Sequence, residues 1–290
     1  MLPEWLSIKP ASTEKYQKIR QMVTERKLHT VCTEARCPNL SECWSAGTAT
    51  FMVLGSLCTR GCRFCAVSKS AKGEQPNPDE PYLLAKTVKE WNLEYVVITS
   101  VCRDDLADQG SGHFAECIKA IKKESPDTIV EVLIPDFTGN VAHLMKIIHA
   151  KPDVIGHNIE TVKRLNPIIR DKRASYFQSL EILRTSKSID PKIYTKSAIM
   201  LGIGETNAEV LSAMDDLRYV GTDFLAMGQY LKPSPFHAEV KEYVTPEQFS
   251  NLKASAEAKG FLYVASGPFV RSSYRAGEFF VKKLKNKSYL

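Results

Sequence analysis

The sequence predicts an α/β chain, a partial (β/α)6 TIM-like barrel with an N-terminal extension and a C-terminal tail. Apolar, β-rich runs recur seven times, at 51–57, 95–101, 129–134, 153–157, 193–201, 223–227 and 261–265. Helical patterns lie between most of them, and strands alternating with helices of this length form βαβ units on a parallel sheet. Polar or glycine-rich clusters follow the runs: the Cys58, Cys62, Cys65 triad after the first, Arg103-Asp104-Asp105 after the second, His157-Asn158-Ile159-Glu160 after the fourth and Gly202-Ile203-Gly204-Glu205 after the fifth. A barrel carries its chemistry on the loops after the C-terminal ends of its strands, so these clusters are expected to converge on one rim.

Taken in chain order, residues 1–50 form the extension, with a helix near 13–28 and then a loop holding Cys32, Cys37 and Cys43. The gaps of four and five between these cysteines do not fall on one helix face, and Pro38 breaks a helix, so the thiols are expected to converge through a loop. The barrel is expected over 51–265. Gln75-Pro-Asn-Pro-Asp-Glu-Pro81 reads as a stiff connection into a helix. Positions 113–124 place Phe114, Cys117, Ile118 and Ile121 on one helical face. Positions 207–220 do the same with Val210, Leu211, Met214 and Leu217, after a capping box of Thr206 and Glu209. The tail is 266–290.

At 290 residues the chain can bury a full core, and its 43% hydrophobic and 25% charged residues are globular averages that argue against disorder. No run reaches the length of a membrane span, and the opening residues fit neither a secretory signal nor a transit pattern. A cytoplasmic, reducing interior is the expectation, in which eight cysteines serve as metal ligands, catalytic thiols or core residues. The net charge of +6 gathers in 15–27 and in Lys282, Lys283, Lys285 and Lys287. It reads as a solvated face or as a docking surface for an acidic partner. No RNP-type motif, recognition helix or aromatic-basic interleaving points to nucleic acid. Gly202-Ile203-Gly204 lacks the third glycine of a dinucleotide loop. Cys117 reads as core, Cys102 falls outside both triads, and His113, His143, His149 and His237 show no ligand-like pairing.

Three thiols at Cys58, Cys62 and Cys65 do not suit structural zinc, which takes four ligands: no second CxxC pair or nearby His completes the set. A 4Fe-4S cluster with three irons anchored and one open fits the triad, with Gly61 letting the backbone wrap closely. With Phe64 before the last cysteine, the pattern CxxxCxΦC resembles the cluster motif of radical S-adenosylmethionine (SAM) enzymes. That resemblance implies that the open iron chelates SAM and that the reduced cluster cleaves it to a 5'-deoxyadenosyl radical.

The second triad, Cys32-x4-Cys37-x5-Cys43, separated by fourteen residues from the first, resembles lipoyl synthase. So do Arg103-Asp104-Asp105-Leu106, Leu133-Ile-Pro-Asp136, His157-Asn-Ile-Glu-Thr161, Thr195-Lys-Ser197, Gln229-Tyr-Leu-x-Pro-Ser234 and Arg271-Ser272-Ser273-Tyr274. The resemblance implies a second, auxiliary 4Fe-4S cluster held by Cys32, Cys37, Cys43 and a serine of the tail, Ser273 being preferred over Ser272. An alkoxide-like oxygen on a soft cluster is a labile ligand. It also implies sulfur insertion at carbons 6 and 8 of an octanoyl group on a lysine of a lipoyl domain or glycine-cleavage H protein, the cluster being the sacrificial sulfur donor. A ferredoxin- or flavodoxin-type protein would supply electrons. Phe64, Thr99, Asp104, Asn158, Glu160, Lys196 and Gln229 are the expected SAM-site residues. A methylthiotransferase and a two-cluster electron carrier are the rival classes.

Overall fold

The computed structural model describes residues 3–6, 13–45, 50–274 and 277. The extension supplies α1 (Glu14–Glu25), β1 (His29–Thr30), α2 (Val31–Glu34) and α3 (Leu40–Ser45). The barrel then runs β2 (Thr50–Val53), α4 (Glu80–Glu90), β3 (Tyr95–Ser100), α5 (Ser111–Glu124), β4 (Ile129–Leu133), α6 (Val141–His149) and β5 (Val154–Gly156). It continues through α7 (Asn166–Ile169), α8 (Tyr176–Ile189), β6 (Tyr194–Leu201), α9 (Asn207–Tyr219), β7 (Phe224–Gln229), α10 (Pro246–Ala258) and β8 (Tyr263–Gly267).

The eight strands form one sheet in sequential order. Strands β2 to β8 are all parallel, joined by six crossovers. β1 adds antiparallel to the β2 edge, pairing His29 with Met52 and Thr30 with Phe51. The sheet is not closed: β1 and β8 are its two ends. Six βα units were expected, and six crossovers with a seventh parallel strand are what form.

Local chemistry sets the elements. Thr206 and Glu209 form the expected capping box of α9, and Thr245 with Gln248 forms a second one before Pro246 opens α10. The face of α5 expected from its spacing is buried: Phe114, Cys117, Ile118 and Ile121 are all 0% exposed. The first strand is shorter than the apolar run, because Leu54 and Gly55 adopt positive φ, 70° and 82°, and turn the chain out of the sheet. Two charged groups hold that turn. Glu80 Oε2 accepts the Leu54 N–H at 3.0 Å, and Arg103 Nη1 donates to the Leu54 carbonyl at 3.2 Å. The last strand begins at Tyr263, two residues later than its run, leaving Phe261 buried beneath the Arg218 guanidinium.

The loop expected around Cys32, Cys37 and Cys43 is instead two short helices. Cys32 lies on α2, Cys43 on α3, and Cys37 between them just after Arg36 at φ 51°. Thr30 caps α2 through its side chain, and the Cys37 N–H returns to the Cys32 carbonyl at 3.0 Å. The basic 282–287 cluster, Arg275 and Ala276 lie outside the described residues.

Candidate active site

A cavity of about 1980 Å³ opens on the barrel interior and is lined by both cysteine triads. The first triad sits on the loop after β2, and other segments clamp that loop. Thr59 N–H donates to the Cys102 carbonyl at 3.0 Å, and Arg60 forks onto Asp104 at 2.8 and 3.0 Å while reaching Asp136 at 2.7 Å. The Gly61 N–H donates to Asp171 Oδ2 at 2.7 Å, and Arg63 N–H to the Ile169 carbonyl at 2.8 Å. His237 donates from Nε2 to the Cys65 carbonyl at 3.0 Å, its Nδ1 accepting from the Ser234 hydroxyl at 2.8 Å.

All three sulfurs face backbone dipoles: Arg60 N–H points to Cys58 Sγ at 3.5 Å, Asp171 N–H to Cys62 Sγ at 3.3 Å, and the Val67 backbone bonds the Cys65 thiol. The Cys102 thiol beside Cys58 pulls that thiol down to about 6, whereas burial pushes Cys65 up to about 12 and Cys62 upward as well. Loading a metal here must therefore release protons from Cys62 and Cys65.

The second triad lines the same cavity, as does the C-terminal segment 270–274. Small residues of β6 and β7 admit that segment: Ala198 and Ala226 pack against Val270, and a Cβ on Gly228 would stand 1.9 Å from the Val270 carbonyl oxygen. Asn39 Nδ2 donates to the Phe269 carbonyl at 2.6 Å, and the Tyr274 hydroxyl to Glu42 at 2.9 Å. Adjacent serines then point apart. Ser272 donates to Asn158 Oδ1 at 3.0 Å, whereas Ser273 Oγ receives the Thr50 hydroxyl at 2.9 Å, and the Thr50 backbone also bonds the Cys32 thiol. Burial raises Cys32 and Cys37, with the Arg271 cation opposing this at Cys37.

Of the expected SAM-site residues, Phe64, Thr99, Asn158 and Glu160 line the cavity. Asn158 Nδ2 donates to Glu160 Oε1 at 3.1 Å, and burial raises the Glu160 carboxyl. Gln229 also borders it, but its amide is spent on backbone: Nε2 donates to Glu242 O at 2.9 Å and Oε1 accepts Val244 N–H at 2.8 Å. Asp104 and Lys196 are elsewhere. Asp104 is bound to Arg60, and Lys196 is buried in an ion pair with Glu131 at 2.8 and 3.0 Å, which the Tyr95 hydroxyl joins. A buried lysine needs such a partner, and the β4 carboxylate supplies it from inside the barrel.

Sequence reasoning passed over Arg170, and it set Cys102 aside as outside both triads and His237 as ordinary. Arg170 lines the cavity near Glu160 and Cys62, and its Nη1 donates to Ser179 Oγ at 2.7 Å. Ser179 in turn donates to His157 Nε2 at 2.9 Å, while His157 Nδ1–H meets the Ile134 carbonyl at 2.9 Å. The only advance signal was the charge density of Arg170-Asp171-Lys172-Arg173. His113, expected to be ordinary, pairs with Glu80 at 2.6 Å near Cys117. Two metal ligands do not approach that closely, and the carboxylate already holds Leu54, so the group reads as a hydrogen-bonded pair.

Residues 52–217 match the family model described as the radical SAM superfamily, and residues 1–37 that of the N-terminal domain of lipoyl synthase. The protein named lipoyl synthase of Myxococcus xanthus is 53% identical over 288 residues, covering 99% of this chain and 96% of that protein. The chain belongs to the lipoyl synthase family. The chloroplastic lipoyl synthase of Arabidopsis thaliana is 51% identical over 99% of this chain and 74% of its own length, and a mitochondrial one of Trichoplax adhaerens 50% over 99% and 83%. Among solved structures, HydG, a maturase of the [FeFe]-hydrogenase, aligns with a TM-score of 0.57 at 13% identity over 76% of this chain and 56% of its own. Methylornithine synthase aligns at 0.52 and 14% identity over 74% and 70%. These two share the fold.

The chain is therefore a lipoyl synthase and a radical SAM enzyme, and its family implies a 4Fe-4S cluster and SAM. The residues fit that cluster: Cys58, Cys62 and Cys65 are free thiols, all facing the cavity, each with a backbone dipole directed at its sulfur. Among the described residues no helix is long and apolar enough to cross a membrane.

Proposed function

We propose that the enzyme inserts two sulfur atoms, at carbons 6 and 8 of an octanoyl group carried on a protein lysine, from an auxiliary 4Fe-4S cluster held by Cys32, Cys37, Cys43 and Ser273. The observation that carries this reading is that both triads and the tail serines border one cavity. When bound, the first cluster with SAM supplies the hydrogen-abstracting radical and the second supplies sulfur. The chain's own work is to hold the two centres at one substrate space and to keep water out.

The placement of Ser273 beside Thr50 and Cys32, with Ser272 turned to Asn158, favours Ser273 as the fourth ligand. Asn158, Glu160 and Arg170 are suited to the amino and carboxylate groups of SAM: two polar acceptors and one cation face the cavity near Cys62. Lys196 and Asp104 act instead on the frame, one neutralising Glu131 and the other seating Arg60. The substrate carrier is a lipoyl domain or glycine-cleavage H protein, and a ferredoxin- or flavodoxin-type donor reduces the clusters. Eight cysteines used as thiols and not as disulfides suit a reducing compartment such as the cytoplasm.

Single turnover on anaerobically reconstituted enzyme tests this, with iron counted first and an octanoyl-lysine peptide as substrate. About eight irons per chain, 5'-deoxyadenosine, and a peptide gaining two sulfurs with loss of one cluster are expected. About four irons, or 5'-deoxyadenosine without sulfur gain, would overturn sulfur donation from a second cluster.

A further inference from the structure

The loops that border the cavity on their inner side carry a basic and apolar patch on their outer side. Lys232 and Pro233 line the cavity, and shortly after them Phe236 stands 94% exposed. Arg170 and Ala174 line it from the segment that follows α7, where Ile168 at the helix end is 51% exposed and Lys172 is exposed. Backbone hydrogen bonds tie these segments through the cluster loop: Arg63 N–H to the Ile169 carbonyl at 2.8 Å, and Ala238 N–H to the Arg63 carbonyl at 2.9 Å. The exposed Arg63 thus stands between the segments that carry the two apolar residues. An almost wholly exposed phenylalanine is costly to leave in water, and on a loop otherwise fixed by its neighbours it is a ready anchor.

The charge of the 163–173 segment is one-sided, while on the other segment Lys232 is paired with Glu239. Residues 163–173 hold five cations, Lys163, Arg164, Arg170, Lys172 and Arg173, against the single carboxylate Asp171. Glu209 pairs with Arg164, and Asp171 is taken by Arg173 at 2.8 Å. Lys172 and Arg63 form no ion pair among the described residues, so positive charge is left facing outward beside Phe236 and Ile168.

We propose that Phe236, Ile168, Arg63 and Lys172 form the docking surface for the octanoylated carrier, a protein with an acidic face and an apolar recess that takes Phe236. The proposal rests on the function proposed above. Its geometry is that a carrier seated here lies at the edge of the cavity, so that the lysine arm enters past Lys232 and Pro233. Steering by Lys172 and Arg63 makes association weaken with salt, because exposed charges are screened within about 8 Å at physiological ionic strength.

The test compares two substrates on the holoenzyme, an octanoylated acidic carrier domain and a short octanoyl-lysine peptide, with carrier affinity measured separately by fluorescence anisotropy. Phe236→Ser and Lys172→Glu should each raise the carrier Kd and KM about tenfold, equivalent to ~1.4 kcal/mol. Iron content and turnover of the peptide should stay at wild-type levels. A carrier KM within about twofold of wild type would overturn the proposal. So would equal losses with peptide and carrier, which put Phe236 in the reaction site, or an enzyme dimer in sedimentation that Phe236→Ser dissolves. Variant-sensitive carrier binding without sulfur insertion by the wild type would instead leave the docking surface standing and sink the proposed chemistry.

Discussion

Gly228→Ala is the most demanding probe of how the C-terminal segment reaches the second triad. The added methyl would stand 1.9 Å from the Val270 carbonyl oxygen and 2.9 Å from its carbon, both backbone atoms that no rotamer change can move. One partner must retreat by about 1 Å, more than the spread of a hydrogen-bond length. Strand β7 is bonded to β6 on one side and β8 on the other, so it stays. The segment is held by hydrogen bonds to Asn39, Glu42, Asn158 and Thr50, and by the burial of Val270. At about 1 kcal/mol per bond and ~1.5 kcal/mol for the valine, its anchorage is on the order of 5–6 kcal/mol, less than breaking the sheet. The tail therefore shifts and takes Ser273 with it. Sulfur insertion should fall at least tenfold and iron drop toward one cluster, while 5'-deoxyadenosine formation persists. Gly267→Ala is the control, since its methyl meets Val270 Cγ2 at an ordinary 3.6 Å. Wild-type iron content and sulfur insertion in Gly228→Ala, by anaerobic single turnover, would refute the reasoning.

Lys196→Met leaves Glu131 buried without a counter-ion, holding only the Tyr95 hydroxyl, so urea unfolding should report a loss of about 3 kcal/mol, with the double variant Lys196→Met/Glu131→Gln recovering most of it and KM for SAM unchanged in both. Arg170→Ala should raise the KM for SAM at least tenfold with little change in carrier KM, and an unchanged SAM titration would remove Arg170 from the cofactor site. Burial and the nearby Arg170 cation lower His157 to about 4. The unfolded chain, titrating near 6.5, then binds more protons between these values, so this stability is complete above about 6.5 and is lost as pH falls toward 4. Denaturation at about pH 7 and about pH 5 should show a drop on the order of 2 kcal/mol, absent in His157→Gln. A wild type with equal stability at both pH values would contradict it.

Much of this architecture is legible in local pattern. The βα rhythm, the α9 capping box, the buried face of α5 and the spacing of two cysteine triads depend on near neighbours in the chain, and they can be read wherever periodicity and capping act. Local pattern misjudged lengths where distant groups intervene: nothing near Leu54 announces that Glu80 and Arg103 will turn the first strand early. It also misplaced Lys196. A strand residue faces the barrel interior or its helices by alternation, but its depth follows from register, here opposite Gly156 and Phe224, which brings Glu131 within reach. Only the tertiary structure separated Ser272 from Ser273, because adjacent side chains diverge and the packing of Val270 against Gly228 fixes which one meets Thr50 and which one Asn158. Which thiols and which elements exist follows from residue type and near-neighbour pattern along the chain. The fold decided which of them share a cavity, because that depends on contacts between residues as far apart in the chain as Asn39 and Phe269, or Thr50 and Ser273.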